Sequence, residues 1–307
     1  MLPFLAGRAL TAVPVLFGVT LAVFGMLFLV PGDPVKMMLA EFGTTPDQIA
    51  QMRAQLHLDE PLLQQYGRFV WNALHGDLGL SIRSRRPVAR EILENLPSTA
   101  QLAAASIVVA VGLGVALGLL AALFRNSWLD VGSMLVGLLG VSMPSFWLGL
   151  LLIFVFSLHL GWFPATGGGT LRHLVLPMLT LGMIASAIVA RLTRSSMLEV
   201  LGQDYIRTAR AKGLAGWGVV VRHGLRNALI PVVTIFGLQF GNLLAGAVIV
   251  ETVFSRPGLG RLIVGGILNK DFPLVQGTIL FIAAGYVIVN LLVDVAYALC
   301  DPRIRLR

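Results

Sequence analysis

The chain has 307 residues, of which 56% are apolar and only 12% are charged. Soluble globular domains carry roughly a quarter charged residues, so this composition excludes that class and indicates a chain whose surface faces lipid. The net charge is +8, but the basic residues lie between apolar segments, which favours membrane orientation over nucleic-acid binding.

Six apolar segments are each long enough to cross a hydrocarbon core of roughly 30 Å, which needs about 20 residues. They occupy residues 9–30, 99–124, 131–158, 174–190 with an extension toward 196, 228–250 and 276–299. An even number of spans places both termini on one side of the membrane. The sequence therefore predicts an all-α polytopic membrane protein with six transmembrane helices.

The basic residues orient these spans. Apart from residues 32–97, which are too long a segment to obey the charge rule, the loops on the side of the termini carry twelve Lys and Arg and the opposite loops carry four. This asymmetry predicts cytoplasmic termini. The first span is predicted to be retained, because it is too long for a signal-peptide core and ends in PGDP without a cleavage site.

The predicted organisation has four parts: the N-terminus with the first span (1–31), an outer amphipathic segment (32–97), a five-helix core (98–300) with a cytoplasmic loop at 197–228, and a tail (301–307). Thr45-Pro46 and Pro61 predict two helix starts in the outer segment. These helices are expected to lie against the membrane surface or the top of the bundle. They serve either as a contact surface for an outer partner or as a packed cap.

The polar and basic stretch at 204–231 interrupts the apolar spans. Asp204 favours a helix start, good helix formers continue to Lys212, and Gly213 follows as a left-handed C-cap. A second helix is predicted from Trp217 into the fifth span. This order predicts a cytoplasmic docking element, whereas binding of anionic lipid explains the arginines but not the arrangement of helix, glycine stop and second helix.

Several motifs carry a resemblance to a known family. They are RTARAKG at 207–213, NALIPVVT at 227–234, LVPGDP at 29–34, GDLGLS at 76–81, RPV at 86–88, FSRPGLGRL at 254–262 and VDVAYALCDPRIR at 293–305. Together they resemble permease subunits of ABC importers, in the branch for dipeptides, oligopeptides, glutathione and nickel. Arg207, Thr208 and Ala209 stand where the general pattern reads Glu-Ala-Ala, and Gly213 matches the glycine of that pattern.

The resemblance implies a type I ABC importer permease in the bacterial cytoplasmic membrane, which forms half of a peptide pathway by alternating access. Glutathione or nickel is the alternative substrate. The implied partners are a second homologous permease, two ABC ATPases that bind ATP and Mg, a solute-binding protein outside and membrane lipid, with no nucleic acid and no cofactor in this chain. The implied ATPase-coupling residues are Asp204, Arg207, Thr208, Ala209, Arg210, Lys212 and Gly213.

Polar residues within the spans are candidates for lining a pathway. Gln239 and Asn242 lie within one turn in the fifth span, and Asn290 and Asp294 lie four apart in the sixth. The alternative is an interhelical hydrogen bond that only fixes packing. Pro144 is predicted to kink the third span, because it removes a helical hydrogen bond.

Motifs for chemistry within the chain are missing from the sequence. It contains no GxxxxGK[ST] phosphate loop and no HExxH, so neither ATP hydrolysis nor a metal site is predicted. The histidines are scattered; for nickel, His57 and His75 of the outer segment are the first to test. An intramembrane enzyme and an ion-coupled carrier stay as alternatives from other classes, but neither explains the 204–231 loop.

Overall fold

The computed structural model describes residues 2–29, 35, 45–55 and 59–300. The α-helices are α1 (Leu2–Leu29), α2 (Pro46–Gln55), α3 (Leu62–Leu74), α4 (Val88–Leu123), α5 (Trp128–Ser142), α6 (Ser145–Leu152), α7 (Arg172–Leu201), α8 (Asp204–Ala211), α9 (Gly216–Gly218), α10 (Arg226–Val253), α11 (Leu259–Leu268) and α12 (Phe272–Cys300). Two π-helical segments lie in this described part, π1 (Ile153–His159) and π2 (Val219–Leu225). The described residues form no named strand, which confirms the all-α prediction.

Within the described residues, four helical segments are long and apolar enough to cross a membrane: Leu10–Phe28, Val88–Leu123, Arg172–Leu201 and Phe272–Val293. The pair Trp128–Gly140 and Ser145–His159 is a fifth candidate if it counts as one broken span. The remaining predicted span, 228–250, lies on α10, where the side chains of 233–240 are outside the described set. The polytopic membrane class is confirmed, and the count of six stays a prediction.

The third predicted span is broken at its proline. α5 ends as the Met143 amide donates to the Leu139 carbonyl, and Pro144 is the residue before α6. The two halves lie at 106° to each other. The predicted kink is therefore a full break, because proline lacks the N–H that would continue the helix.

The fourth predicted span is longer than the sequence indicated. α7 continues to Leu201, so residues 197–201 of the predicted cytoplasmic loop are helical. Residues between Pro177 and Gly202 include no helix breaker apart from Gly182, and Met197 is fully buried with Ala122 and Ala228 in an apolar cluster. Burial of this last turn extends the helix beyond the apolar run itself.

The chain divides into two compact units, residues 1–97 with 261–307 and residues 98–260. In the first unit, α1 packs against α12, and the Gln276 amide donates to the Val23 carbonyl over 3.0 Å. The buried Asp271 carboxylate accepts a 2.6 Å hydrogen bond from the Ser81 hydroxyl. This bond ties the turn after the outer helices to the residue before α12.

In the second unit, α7 lies at the centre of the core. Its apolar side chains pack with those of α4, α6 and α10, including Leu102, Leu148 and Leu243. Small residues bring α4 and α7 together: a Cβ on Gly114 would lie 2.5 Å from the Val189 Cβ, and one on Gly118 would lie 2.4 Å from a backbone oxygen. Glycine is the residue that permits this approach.

Candidate docking surface

The predicted docking helix is α8, and its ends follow from its sequence. Gln203 is extended, with φ −73° and ψ 150°, and Asp204 begins the helix. At the other end the Gly213 amide donates to the Arg210 carbonyl over 2.9 Å, and the Leu214 amide donates to the Ala209 carbonyl over 3.4 Å. Gly213 has φ 76°, so it forms the left-handed helix stop that the sequence predicted.

The back of α8 is anchored in the second unit. Ile206 and Ala209 are buried against Val219 of π2, with Val200 and Leu201 at the end of α7 packed beside them. These apolar contacts hold α8 between the end of α7 and the helical segment that leads into α10. α8 is therefore in direct contact with both of these helical segments.

A hydrogen bond adds to this anchorage. The Asn227 amide donates to the Tyr205 hydroxyl over 3.0 Å and to the His223 carbonyl over the same distance. Asn227 is the second residue of α10, so α8 is joined to α10 by a polar contact as well as by packing. Sequence reasoning did not single out either residue.

The front of α8 is exposed and basic. We define the docking surface as Arg207, Arg210, Lys212, Leu214 and Trp217, all of them exposed. Trp217 is 67% exposed and Leu214 is 48% exposed. Arginine and tryptophan are the residue types that most often dominate protein interfaces, so the surface combines cationic contacts with two apolar anchors.

The remaining predicted coupling residues lie on or beside the same helix. Asp204 and Arg207 form an exposed ion pair at 3.4 Å, with side chains 94% and 75% exposed, which contributes little to stability. The Thr208 hydroxyl donates to the Asp204 carbonyl over 3.0 Å. Ala209 is buried, so it packs α8 against its support and does not face a partner.

Sequence reasoning missed an ion pair near the end of α7. The Arg194 guanidinium donates two hydrogen bonds to the Asp130 carboxylate, at 2.6 and 2.7 Å. Asp130 also accepts from the Asn126 amide over 3.1 Å, in the turn that starts α5. The bidentate geometry joins the start of α5 to the helix that leads into α8.

A buried carboxylate at the end of α10 explains the glycines of the FSRPGLGRL motif. Glu251 is fully buried and accepts from the Thr99 hydroxyl over 2.6 Å and from the Gly260 amide over 2.8 Å. A Cβ on Gly258 would lie 2.3 Å from this carboxylate. The glycines therefore leave space for the Glu251 carboxylate, which accepts hydrogen bonds from the chain in place of water.

Arg256, one of the four basic residues in the predicted loops opposite the termini, is buried beside this carboxylate. Its guanidinium donates to the Gln101 side chain over 2.9 Å. Burial lowers the pKa of Arg256, and the negative charge of Glu251 partly opposes that shift. The arginine is thus a structural cation here, and its position in a loop gave no sign of that burial.

The predicted pathway residues stay predictions. Gln239 and Asn242 lie on α10, and Asn290 and Asp294 lie on α12. Asn290 is partly buried, while the side chains of the other three are outside the described set. Their predicted lining role has no described contact to support it.

The histidines form no metal site in the described part of the chain. No group of three or more His, Cys, Asp or Glu that could hold a metal occurs there. The His75 ring makes a 2.8 Å hydrogen bond with the Trp71 carbonyl, and His57 lies outside the described residues.

Comparison with known proteins gives full-length matches. Residues 114–306 match the family described as the binding-protein-dependent transport system inner membrane component, and residues 1–103 match the N-terminal part of the corresponding membrane component. The chain is 47% identical over 309 residues to the glutathione transport system permease protein GsiC of Escherichia coli O6:H1. It is 42% identical over 336 residues to the dipeptide transport system permease protein DppB of Escherichia coli K12. Each alignment covers 99% of both chains.

Two solved structures share the fold. A chain of the inward-facing MetNI methionine ABC transporter superposes with a TM-score of 0.58 at 18% identity, covering 68% of this chain and 96% of that one. An amino acid ABC transporter superposes with a TM-score of 0.52 at 16% identity, covering 70% and 94%. The polytopic helical fold, the glycine-stopped helix α8 and the full-length matches agree: the chain belongs to the family of binding-protein-dependent transport system inner membrane components, and it is a transport subunit and not an enzyme.

Proposed function

We propose that this chain is the permease subunit of an ATP-driven ABC importer that carries small peptides across the bacterial cytoplasmic membrane. It forms half of the pathway, and a second, homologous permease forms the other half. Separate ATPase subunits bind ATP and Mg on the cytoplasmic face, and a solute-binding protein delivers substrate from outside. The observation that carries the proposal is that α8 exposes basic side chains on one side while its other side is buried against the rest of the second unit.

The anchorage suggests how force passes from the ATPases to the spans. Closure of the ATPases displaces α8. Because Ile206 and Ala209 pack against Val219, the helical segments in contact with α8 are displaced with it. α7 and α10 then move with α8. The pair Asp130–Arg194 extends this movement to the start of α5. The spans thereby change between outward and inward openings.

Small peptides are the substrate class that we propose first. Relatives are named for dipeptide and for glutathione transport, and glutathione is itself a short peptide derivative with free carboxylates. It is the second candidate, since the relative named for glutathione transport and the relative named for dipeptide transport each match the chain over 99% of its length. Nickel rests on His57 and His75 alone.

Photo-crosslinking tests the docking role. A benzophenone amino acid replaces Arg207 or Trp217 in a chain co-expressed with the ATPase subunits of its operon. Trp128 is the matched control, since it is an exposed tryptophan (80%) at the start of α5 and lies outside the docking surface. We expect ATPase crosslinks from 207 and 217 and none from 128. If complexes that hydrolyse ATP form no crosslink from position 207 or position 217, the proposal is contradicted.

Direct uptake of each candidate resolves the substrate. The cognate solute-binding protein and the reconstituted complex are supplied with labelled dipeptide, labelled glutathione or radioactive Ni²⁺, each in a separate sample. We expect ATP-dependent uptake of the dipeptide. If glutathione is taken up and dipeptide is not, the second candidate replaces the first; uptake of Ni²⁺ alone would exclude both.

A further inference from the structure

The helix α3 packs along the side of α1. The Tyr66 hydroxyl and the Thr20 hydroxyl share a 2.8 Å hydrogen bond. The Tyr66 ring lies 6.2 Å from Phe17 and 5.4 Å from Phe24, and the Phe69 ring lies 6.0 Å from Phe24. These contacts all fall within the apolar span of α1 and not beyond its end.

The depth of these contacts follows from helix geometry. The candidate span runs over Leu10–Phe28, and an α-helix rises about 1.5 Å per residue. Thr20 therefore lies about 12 Å, and Phe24 about 6 Å, from the Phe28 end of the span. α3, which belongs to the predicted outer segment, thus lies beside the half of the span in which α1 ends.

Three faces run along α3, at about 100° per residue. Tyr66 and Phe69 face α1. A second, apolar face packs against no other helix among the described residues: Leu63 is 82% exposed, Trp71 64% and Leu74 78%. The third face is polar and consists of Gln64, Gln65, Arg68, Asn72 and His75.

The charged and the buried polar side chains of α3 have partners in the chain. The Arg68 guanidinium donates to both oxygens of Glu60, at 2.8 and 3.1 Å, and the buried Gln65 amide donates to the Glu60 carbonyl over 2.7 Å. At the C-terminus, the Asp77 amide donates to the Asn72 carbonyl over 2.9 Å. These bonds lower the free-energy cost of placing the helix at the boundary between headgroups and acyl chains.

We propose that α3 is embedded in the lipid leaflet in which α1 ends, with Leu63, Trp71 and Leu74 against acyl chains and the polar face toward the headgroups. Lipid is the occupant because the apolar face continues the exposed apolar surface of a candidate membrane span: only 6% of the Leu10–Phe28 window is buried, and Phe17 and Leu21 are 56% and 51% exposed. The outer segment is then anchored within the membrane and not held above it.

Spin labelling of the assembled complex in liposomes tests this placement. In a Cys300→Ser background, nitroxides are attached to Leu63→Cys and Leu74→Cys, with Gln64→Cys and Asp77→Cys as exposed polar controls. We expect collision with oxygen to exceed collision with water-soluble NiEDDA several-fold at 63 and 74, and the reverse at 64 and 77. Equal access of NiEDDA to all four positions would overturn the proposal.

Protein occupants give different results in the same samples. Labels at 63 and 74 that are shielded from both reagents indicate a protein cover, such as the second permease. Shielding that appears only when the solute-binding protein is added indicates that partner instead. Either result overturns the lipid assignment. As a second measurement, brominated lipids should quench wild-type fluorescence more than that of Trp71→Phe; equal quenching would count against embedding.

Discussion

Replacement of Gly213 tests whether the left-handed stop of α8 is needed for transport. Gly213 has φ 76°, a conformation that glycine adopts freely and other residues adopt only with strain. Gly213→Ala adds the smallest side chain, Gly213→Asn adds one that tolerates this region, and Gly213→Val adds a β-branched one for which it is a genuine outlier. The loss of transport is therefore expected to increase from Gly213→Asn through Gly213→Ala to Gly213→Val.

The structure allows the magnitude to be estimated. A Cβ at this position meets no other atom within 4 Å, so crowding does not contribute and the backbone conformation alone carries the penalty. That penalty is about 1–2 kcal/mol for an L-residue. It lowers the ratio of capped to frayed conformations about 5- to 30-fold, and Gly213→Val should lie at or beyond the upper end.

The assay compares uptake, ATPase co-purification and stimulation of hydrolysis by loaded binding protein. Gly218→Ala is the matched control: its added Cβ is also free of contacts, but its φ is −62°, so alanine is compatible there and favoured by about 1 kcal/mol in helix propensity. We expect Gly213→Val to lose uptake, either by shedding the ATPases or by losing stimulation. Gly218→Ala should retain both uptake and the stimulation of ATP hydrolysis.

Two results would refute this reasoning. Wild-type uptake by assembled Gly213→Val complexes would show that the stop is dispensable. If the loop only binds anionic lipid, Gly213→Val is silent, while neutralising Arg207, Arg210 and Lys212 together weakens membrane association by about 1 kcal/mol per charge. That ranking is the opposite of ours.

Further predictions concern topology and packing. In a Cys300→Ser background, an impermeant maleimide should label Ser84→Cys but not Ser195→Cys in intact spheroplasts. Ser195 is chosen for the cytoplasmic position because it is exposed. The reverse labelling pattern would show that the predicted orientation is inverted. Gly114→Ala should destabilise the assembled subunit by about 1–3 kcal/mol through overpacking, and an unchanged thermal midpoint would contradict the close helix approach. Thr99→Val removes a hydrogen-bond donor to the buried Glu251; it should cost about 1–3 kcal/mol, and an unaltered midpoint would show that the carboxylate is solvated another way.

Local features of the chain were predictable from its sequence. Asp204 and Gly213 define α8 because helix starts and left-handed stops have residue preferences that act over a few positions. The break at Pro144 follows from a single residue type in the same way. These features depend on the neighbouring chain and not on what folds against it.

Contacts between distant residues could not be predicted from the pattern alone. Thr99 and Glu251 are 152 residues apart, and Asp130 and Arg194 are 64 apart. The sequence position of each residue gives no sign of its partner, because the two residues come together only when the chain folds. Burial of Arg256 was hidden for the same reason, because loop position and basic character normally indicate exposure.

The central claim is that this chain imports substrate only as part of an ATP-driven complex. The most direct test is uptake of a labelled dipeptide into proteoliposomes that contain the complex, with ATP trapped inside and loaded binding protein outside. We predict uptake that requires hydrolysable ATP, the ATPase subunits and this chain together. Uptake by this chain alone, driven by a proton or sodium gradient in the absence of ATP, would contradict the account.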